Sequence, residues 1–141
     1  MTRHLHLIFI FLSGLCSAQT INPKELVGQW VRIYDKDEFG KNIEVNKENI
    51  DTLNFFADNR FLKKQNGTQE TATWILDSKT KTIQYKNLVY KGLILGQYIQ
   101  LDPTDSWADI GILTKDTLTI LQCWETDPPS HCTSWYYIRT K

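Results

Sequence analysis

Two groups of carboxylates and one histidine are the side chains of this 141-residue chain whose types could do acid–base or metal chemistry. The carboxylates are Asp35, Asp37 and Glu38, and Asp102, Asp105 and Asp109. A glycosidase needs two facing carboxylates at a defined separation, but both groups lie in or beside segments that read as turns, where Asp is favoured for backbone reasons. His131 is the only histidine outside the first six residues, and a zinc site needs three or four converging ligands. The sequence has no glycine-rich phosphate loop and no Gly-x-Ser-x-Gly elbow. No catalytic residue, metal or cofactor is therefore expected, and the chain is read as something other than an enzyme.

Lys and Arg total 16 and Asp and Glu total 16. A nucleic-acid binder normally carries a basic excess or a basic stripe, so nucleic acid is not an expected partner. The second chemistry-bearing group is aromatic. Phe55, Trp74, Tyr85, Trp135 and Tyr137 could line a cavity for a small hydrophobic molecule, or could simply fill a core. Trp107 and Trp124 sit beside segments that read as turns, where exposed rings could stack on a sugar or a protein partner.

The first 18 residues read as a leader. A basic start at Arg3, an apolar run from Leu7 to Leu12 and small residues at Cys16 and Ala18 form the tripartite pattern of a secretory signal peptide. Cleavage is expected after Ala18, leaving residues 19–141 as one domain, secreted or periplasmic. A lipid anchor on Cys16 is disfavoured, because the residue before it is the bulky Leu15. The apolar run is too short to span a bilayer, and no other segment approaches that length. The product is expected to be a monomer.

Removing the leader leaves Cys123 and Cys132, an even pair that reads as a disulfide in an exported protein. Asp127-Pro128-Pro129-Ser130 cannot be a central strand, because proline lacks the ladder donor. Centring a hairpin loop there pairs Cys123 with Cys132, Ile120 with Trp135 and Leu118 with Tyr137. The cysteines then fall on one face, and the aromatic and aliphatic pairs on the other.

The elements that must position these residues are strands. Period-two alternation rich in Val, Ile, Thr, Tyr, Phe and Trp, with turn clusters every eight to fifteen residues, predicts an all-β antiparallel barrel or sandwich. Strands are expected at 29–34, 50–56, 60–65, 71–76, 82–85, 93–101, 108–114, 117–125 and 133–139. Residues 35–49 are expected to form a long charged loop, and 22–27 a helical turn capped by Asn22 with Pro23 at its first position. Asp58-Asn59 reads as a two-residue hairpin loop placing Phe56 opposite Phe61, and Lys115-Asp116 as a second tight turn.

The stretch Leu26-Val27-Gly28-Gln29-Trp30 resembles the N-terminal signature of lipocalins. Phe56 to Phe61, Trp74 to Asp77, Ile83 to Tyr85 and Ile112 to Leu118 look like the spaced motifs of the small bacterial lipocalin-like domain family, with Asn59 where that family often has glycine. The resemblance implies an up-and-down barrel of about eight to nine strands. It also implies closure of one end by Trp30 with an arginine of the last strand packed over it. Arg139 lies on the face of Trp135 and Tyr137 and is the candidate; otherwise it is a fraying terminal charge. The function implied is non-catalytic binding of a small hydrophobic molecule in the barrel. The alternative is an envelope module with a filled interior that binds proteins or carbohydrate.

Overall fold

The computed structural model describes residues 20–94, 96–124 and 131–141. Residues 1–18, read as the signal peptide and containing Cys16, lie outside the described residues, as do Glu125 and the Asp127–Ser130 loop. Of Cys123, Trp124 and His131 only the backbone is described.

A four-residue helix, α1 (Pro23–Leu26), opens the described chain, with the Asn22 side chain accepting from the Lys24 amide. Ten strands follow: β1 (Gly28–Lys36), β2 (Asn42–Glu44), β3 (Asp51–Phe55), β4 (Arg60–Gln65), β5 (Thr68–Asp77), β6 (Thr82–Ile94), β7 (Gln97–Gln100), β8 (Thr104–Leu113), β9 (Thr117–Trp124) and β10 (His131–Arg139). Eight of them form a closed antiparallel barrel in the order β1-β3-β4-β5-β6-β8-β9-β10, with β10 pairing back to β1. The short strands β2 and β7 attach outside this circuit, to β1 and β6. Closure leaves the eight strands without an unpaired edge, which is how a small all-β domain avoids edge-to-edge association. No helix among the described residues is long and apolar enough to cross a membrane.

The final hairpin has the register read from its prolines: Cys123 faces Cys132, Ile120 faces Trp135 and Leu118 faces Tyr137. Lys115-Asp116 is a tight turn, closed by the Thr114 amide donating to the Thr117 carbonyl at 2.8 Å.

Three expectations are corrected. Phe61 faces Phe55, not Phe56. The β3–β4 loop has three residues, because Asn59 takes the left-handed conformation at φ +66° and adds one residue to the turn. The interval 35–49 is not a loop throughout. β1 runs to Lys36 and a hairpin returns through β2, because the Asp37 carboxylate accepts from the Phe39 and Lys41 amides and folds the chain back. Residues 93–101 are not one strand. Gly96, at φ +79°, breaks the apolar run into the end of β6 and β7.

The turns sort the barrel into two ends. α1, the 56–60 and 78–81 turns and Lys115-Asp116 lie at the end where β1 begins. The other end carries the Asp37–Lys41 turn, the Gln65–Thr68 turn and the β6–β7 hairpin. The core holds Leu26, Trp30, Leu53, Phe55, Phe61, Trp74, Ile83, Tyr85, Ile110, Leu118, Ile120 and Tyr137, all buried.

Candidate functional site: the barrel interior

Trp30 anchors the α1 end of the interior. Its ring is fully buried, and its indole nitrogen donates to the Leu26 carbonyl at 2.9 Å. Arg139 is opposite Trp30 in the β1–β10 register, with its guanidinium carbon 4.1 Å from the ring centroid. Arg139 Nη1 donates to the Val27 carbonyl and Nε to the Lys115 carbonyl, both at 2.6 Å, and Nη2 donates to the Glu25 carbonyl. One side chain thus joins the α1 segment, the β8–β9 turn and the first strand. Gly28 makes room for it: a Cβ there would stand 2.3 Å from Arg139 Nη1, and the residue sits at φ +142°. The Gly-x-Trp spacing therefore has a physical basis, a side-chain-free residue beneath the guanidinium and an indole in its path.

Above this end the interior contains a cavity of about 210 Å³. Rings and aliphatic groups line it, including Leu53, Phe61, Tyr85, Ile120, Trp135 and Tyr137, together with the polar Lys63, Glu70, Ser106 and Gln122. Of the five aromatics singled out from the sequence, Tyr85, Trp135 and Tyr137 line the cavity. Phe55 and Trp74 do not. They pack edge-to-face at 5.7 Å, and Phe55 meets Phe61 at 5.1 Å, so they fill the core beside it.

A set of charged residues that sequence reasoning passed over also faces the interior. Arg32, Asp35, Asp51, Lys63 and Glu70 form a chain of ion pairs. The Arg32 guanidinium grips Asp35 through two nitrogens, Nε at 2.7 Å. Its Nη1 lies 3.8 Å from Asp51 Oδ1. Lys63 Nζ lies 3.9 Å from Asp51 Oδ2 and 3.2 Å from Glu70 Oε1. The Tyr137 hydroxyl donates to Asp51 Oδ2 at 3.1 Å. Arg32 and Lys63 also approach the Trp135 ring, at 5.1 and 5.8 Å.

Strand geometry explains how these side chains meet. Arg32 is in phase with Trp30 along β1, Asp51 with Leu53 and Phe55 along β3, Lys63 with Phe61 along β4, and Glu70 with Ala72 and Trp74 along β5. Lys63 and Glu70 are directly opposite in the β4–β5 register. Asp35 is three residues from Arg32, and in a regular strand it would face outward. The register slips between Arg32 and Tyr34, so Ile33 is the extra residue of a bulge that turns Asp35 inward opposite Trp135. The same bulge places Tyr34 on the outer face, stacked on Tyr136 at 4.5 Å.

Asp51 is the most deeply buried member. It is 1% exposed, and its Oδ1 has no hydrogen-bond partner among the described residues. Burial pushes its carboxyl above the usual range, against the opposing pull of Lys63, Arg32 and the Tyr137 hydroxyl. Burial also drives the Tyr137 phenol well up, and Asp51 adds to this. For Arg32, burial works against the charge, but the Asp35 and Asp51 carboxylates overcome it and raise its pKa.

The carboxylates first considered for chemistry are placed differently. Asp35 belongs to a strand and to the buried network, not to a loop. Asp105 lies in a strand, β8, rather than in a turn, and Asp109 lies in the same strand, within the expected 108–114. Asp105 binds Lys86 Nζ at 2.8 Å and accepts from the Asn87 amide, pinning the bulge where Asn87 takes φ +52°. Asp109 accepts from the Thr82 hydroxyl. Trp107 lies within β8, not beside a turn, and is 74% exposed on the outer face. Cys123 and Cys132 face each other across the β9–β10 hairpin.

The chain matches no protein-family model and no curated protein sequence.

Proposed function

We propose that this protein is an exported, non-catalytic carrier barrel of lipocalin-like type, holding a small molecule with a largely apolar body in its interior. The observation that carries this reading is the cavity of about 210 Å³ walled by Tyr85, Trp135, Tyr137 and Ile120 inside a closed barrel. Concave, mainly apolar sites with a few converging polar groups are where small ligands bind. The lipocalin-like part rests on the up-and-down order of the eight strands and on Gly28, Trp30 and Arg139 acting together. Export rests on the leader pattern of residues 1–18 and on the even cysteine pair after it.

Intrinsic tryptophan fluorescence, titrated with a panel of small apolar molecules and fatty acids, tests the reading, because Trp135 lines the cavity. A saturable change with at least one compound supports it; a flat response to all of them counts against it. N-terminal sequencing of the protein recovered from envelope or medium fractions tests export, with Gln19 expected as the first residue.

A second reading is favoured by Trp107, whose ring is 74% exposed, with Ile75 at 46% exposure two strands away in the same cross-strand row. Such a surface suits an interaction module for a protein or carbohydrate partner. Under this reading Ile75→Asp abolishes partner or polysaccharide binding, whereas under the carrier reading it leaves cavity binding intact, because Ile75 does not line the cavity while Trp107 borders it.

A further inference from the structure

We propose that the cavity selects a neutral, planar molecule of one or two rings bearing a hydrogen-bond donor and acceptor side by side, as in a primary aromatic amide, and discriminates against long-chain lipids and against ions of either sign. This deepens the carrier reading and rests on it.

Size is the first argument. An apolar cavity of about 150 Å³ accepts a benzene ring, and pockets for drug-sized molecules begin at roughly 300 Å³. The present 210 Å³ falls between them. It has room for one ring with a short substituent, or for a small fused pair. A sixteen-carbon chain has more than twice the carbons of benzene and would leave much of its length outside the cavity, in water.

Shape is the second. The side chains of Phe61, Tyr85, Trp135 and Tyr137 all line the space, and flat aromatic walls favour a flat guest through offset or edge-on ring contacts.

Charge is the third. Among the described residues, the basic and acidic side chains that line the cavity are Lys63 and Glu70, facing each other across β4–β5 with 3.2 Å between Nζ and Oε1. Behind them Arg32 is held by Asp35, and Asp51 stands between Arg32 and Lys63. An incoming anion that reaches Lys63 meets Glu70 beside it and Asp51 behind it. An incoming cation that reaches Glu70 meets Lys63. Either ion must break a pair in a partly dehydrated site, where an unpaired charge is costly. A neutral donor–acceptor edge breaks nothing. An ammonium offers three hydrogens and a carboxylate about four acceptor sites, so an amide can lie across the pair with its oxygen toward Lys63 and its N–H toward Glu70. Ser106 and Gln122 in the same wall supply further neutral partners.

The experiment is calorimetric titration of the full chain with four probes: benzamide, benzoate, benzylamine and palmitate. The first three share a ring and differ in charge. Benzamide is expected to bind saturably, at least tenfold tighter than benzoate or benzylamine, and palmitate is expected not to bind in the cavity. Glu70→Gln is expected to raise benzoate affinity about tenfold while lowering benzylamine affinity further. That charge-specific reversal would not follow from a loss of stability. Tighter binding of either ion than of benzamide overturns the neutral preference. Palmitate binding without benzamide overturns the selectivity and leaves the carrier reading in place. No binding of any probe overturns both.

Discussion

The guanidinium of Arg139 lies 4.1 Å from the centroid of the Trp30 ring while its three nitrogens donate to the carbonyls of Val27, Lys115 and Glu25. A cation over an indole contributes about 1–2 kcal/mol, and charge-assisted hydrogen bonds add to it. Arg139→Met retains most of the stem and loses both contributions. The variant is expected to melt several degrees lower, a loss of about 2 kcal/mol. Arg139→Lys is expected to recover little, because an ammonium cannot reach three carbonyls in a planar fork. Thermal melts of the three proteins check this; a lysine variant as stable as the parent would contradict it.

Gly28→Ala tests the same contact from below. The added Cβ would stand 2.3 Å from Arg139 Nη1 on a residue at φ +142°, so the arginine must move and the backbone is strained. A loss of about 1–3 kcal/mol is expected. In the Arg139→Met background the collision with the guanidinium is gone and only the backbone strain remains. The two changes are therefore expected to cost less together than the sum of their separate costs, read from a double-mutant cycle.

Cys123 and Cys132 are directly opposite on β9 and β10, and a disulfide between them is expected. It would close a short loop and contribute about 2–3 kcal/mol. Reducing agent should therefore lower the melting temperature by several degrees. Thiol titration of the unreduced protein checks the premise, and two reactive thiols with an unchanged melt would refute it.

Asp51 sets a pH dependence. Its carboxyl titrates above the ordinary aspartate range, chiefly through burial, with Lys63, Arg32 and Tyr137 facing it. A carboxyl whose pKa is raised by folding binds more protons in the native state. Its contribution to stability is complete below its unfolded value and is lost as the pH rises through the folded value. Asp51→Asn has nearly the same shape and does not titrate. The stability of the parent relative to this variant is expected to be greatest near pH 4 and to decline toward neutrality. Denaturant melts of both proteins across that range decide the sign, and a difference that grows with pH would contradict the account.

The final hairpin was legible because two independent signals agreed. Pro128 and Pro129 fixed the loop, and alternation then fixed which residues faced inward. The β3–β4 loop was misread by one residue because Asp58-Asn59 suits either a two- or a three-residue turn. Only the left-handed Asn59 decides between them. The charged interior was passed over because Arg, Asp, Lys and Glu suggest a surface by type. The signal was nevertheless present in their phase: Asp51 alternates with Leu53 and Phe55, and Lys63 with Phe61. A charge in phase with a buried apolar set is out of place in a simple core, and that phase, not the residue type, was the readable signal. Asp35 carried no such signal, because the bulge at Ile33 that turns it inward is marked by neither glycine nor proline.

The most direct measurement is a nuclear magnetic resonance titration with benzamide of the protein and of an Ala108→Leu variant; Ala108, on β8, lines the cavity, and the larger side chain would occupy part of it. The account predicts saturable shift changes in the parent at Lys63, Glu70, Tyr85 and Trp135, no change at the buried Trp30 indole, and loss of the response in the filled variant. Shift changes confined to the outer face around Trp107, or an undiminished response in Ala108→Leu, would contradict it.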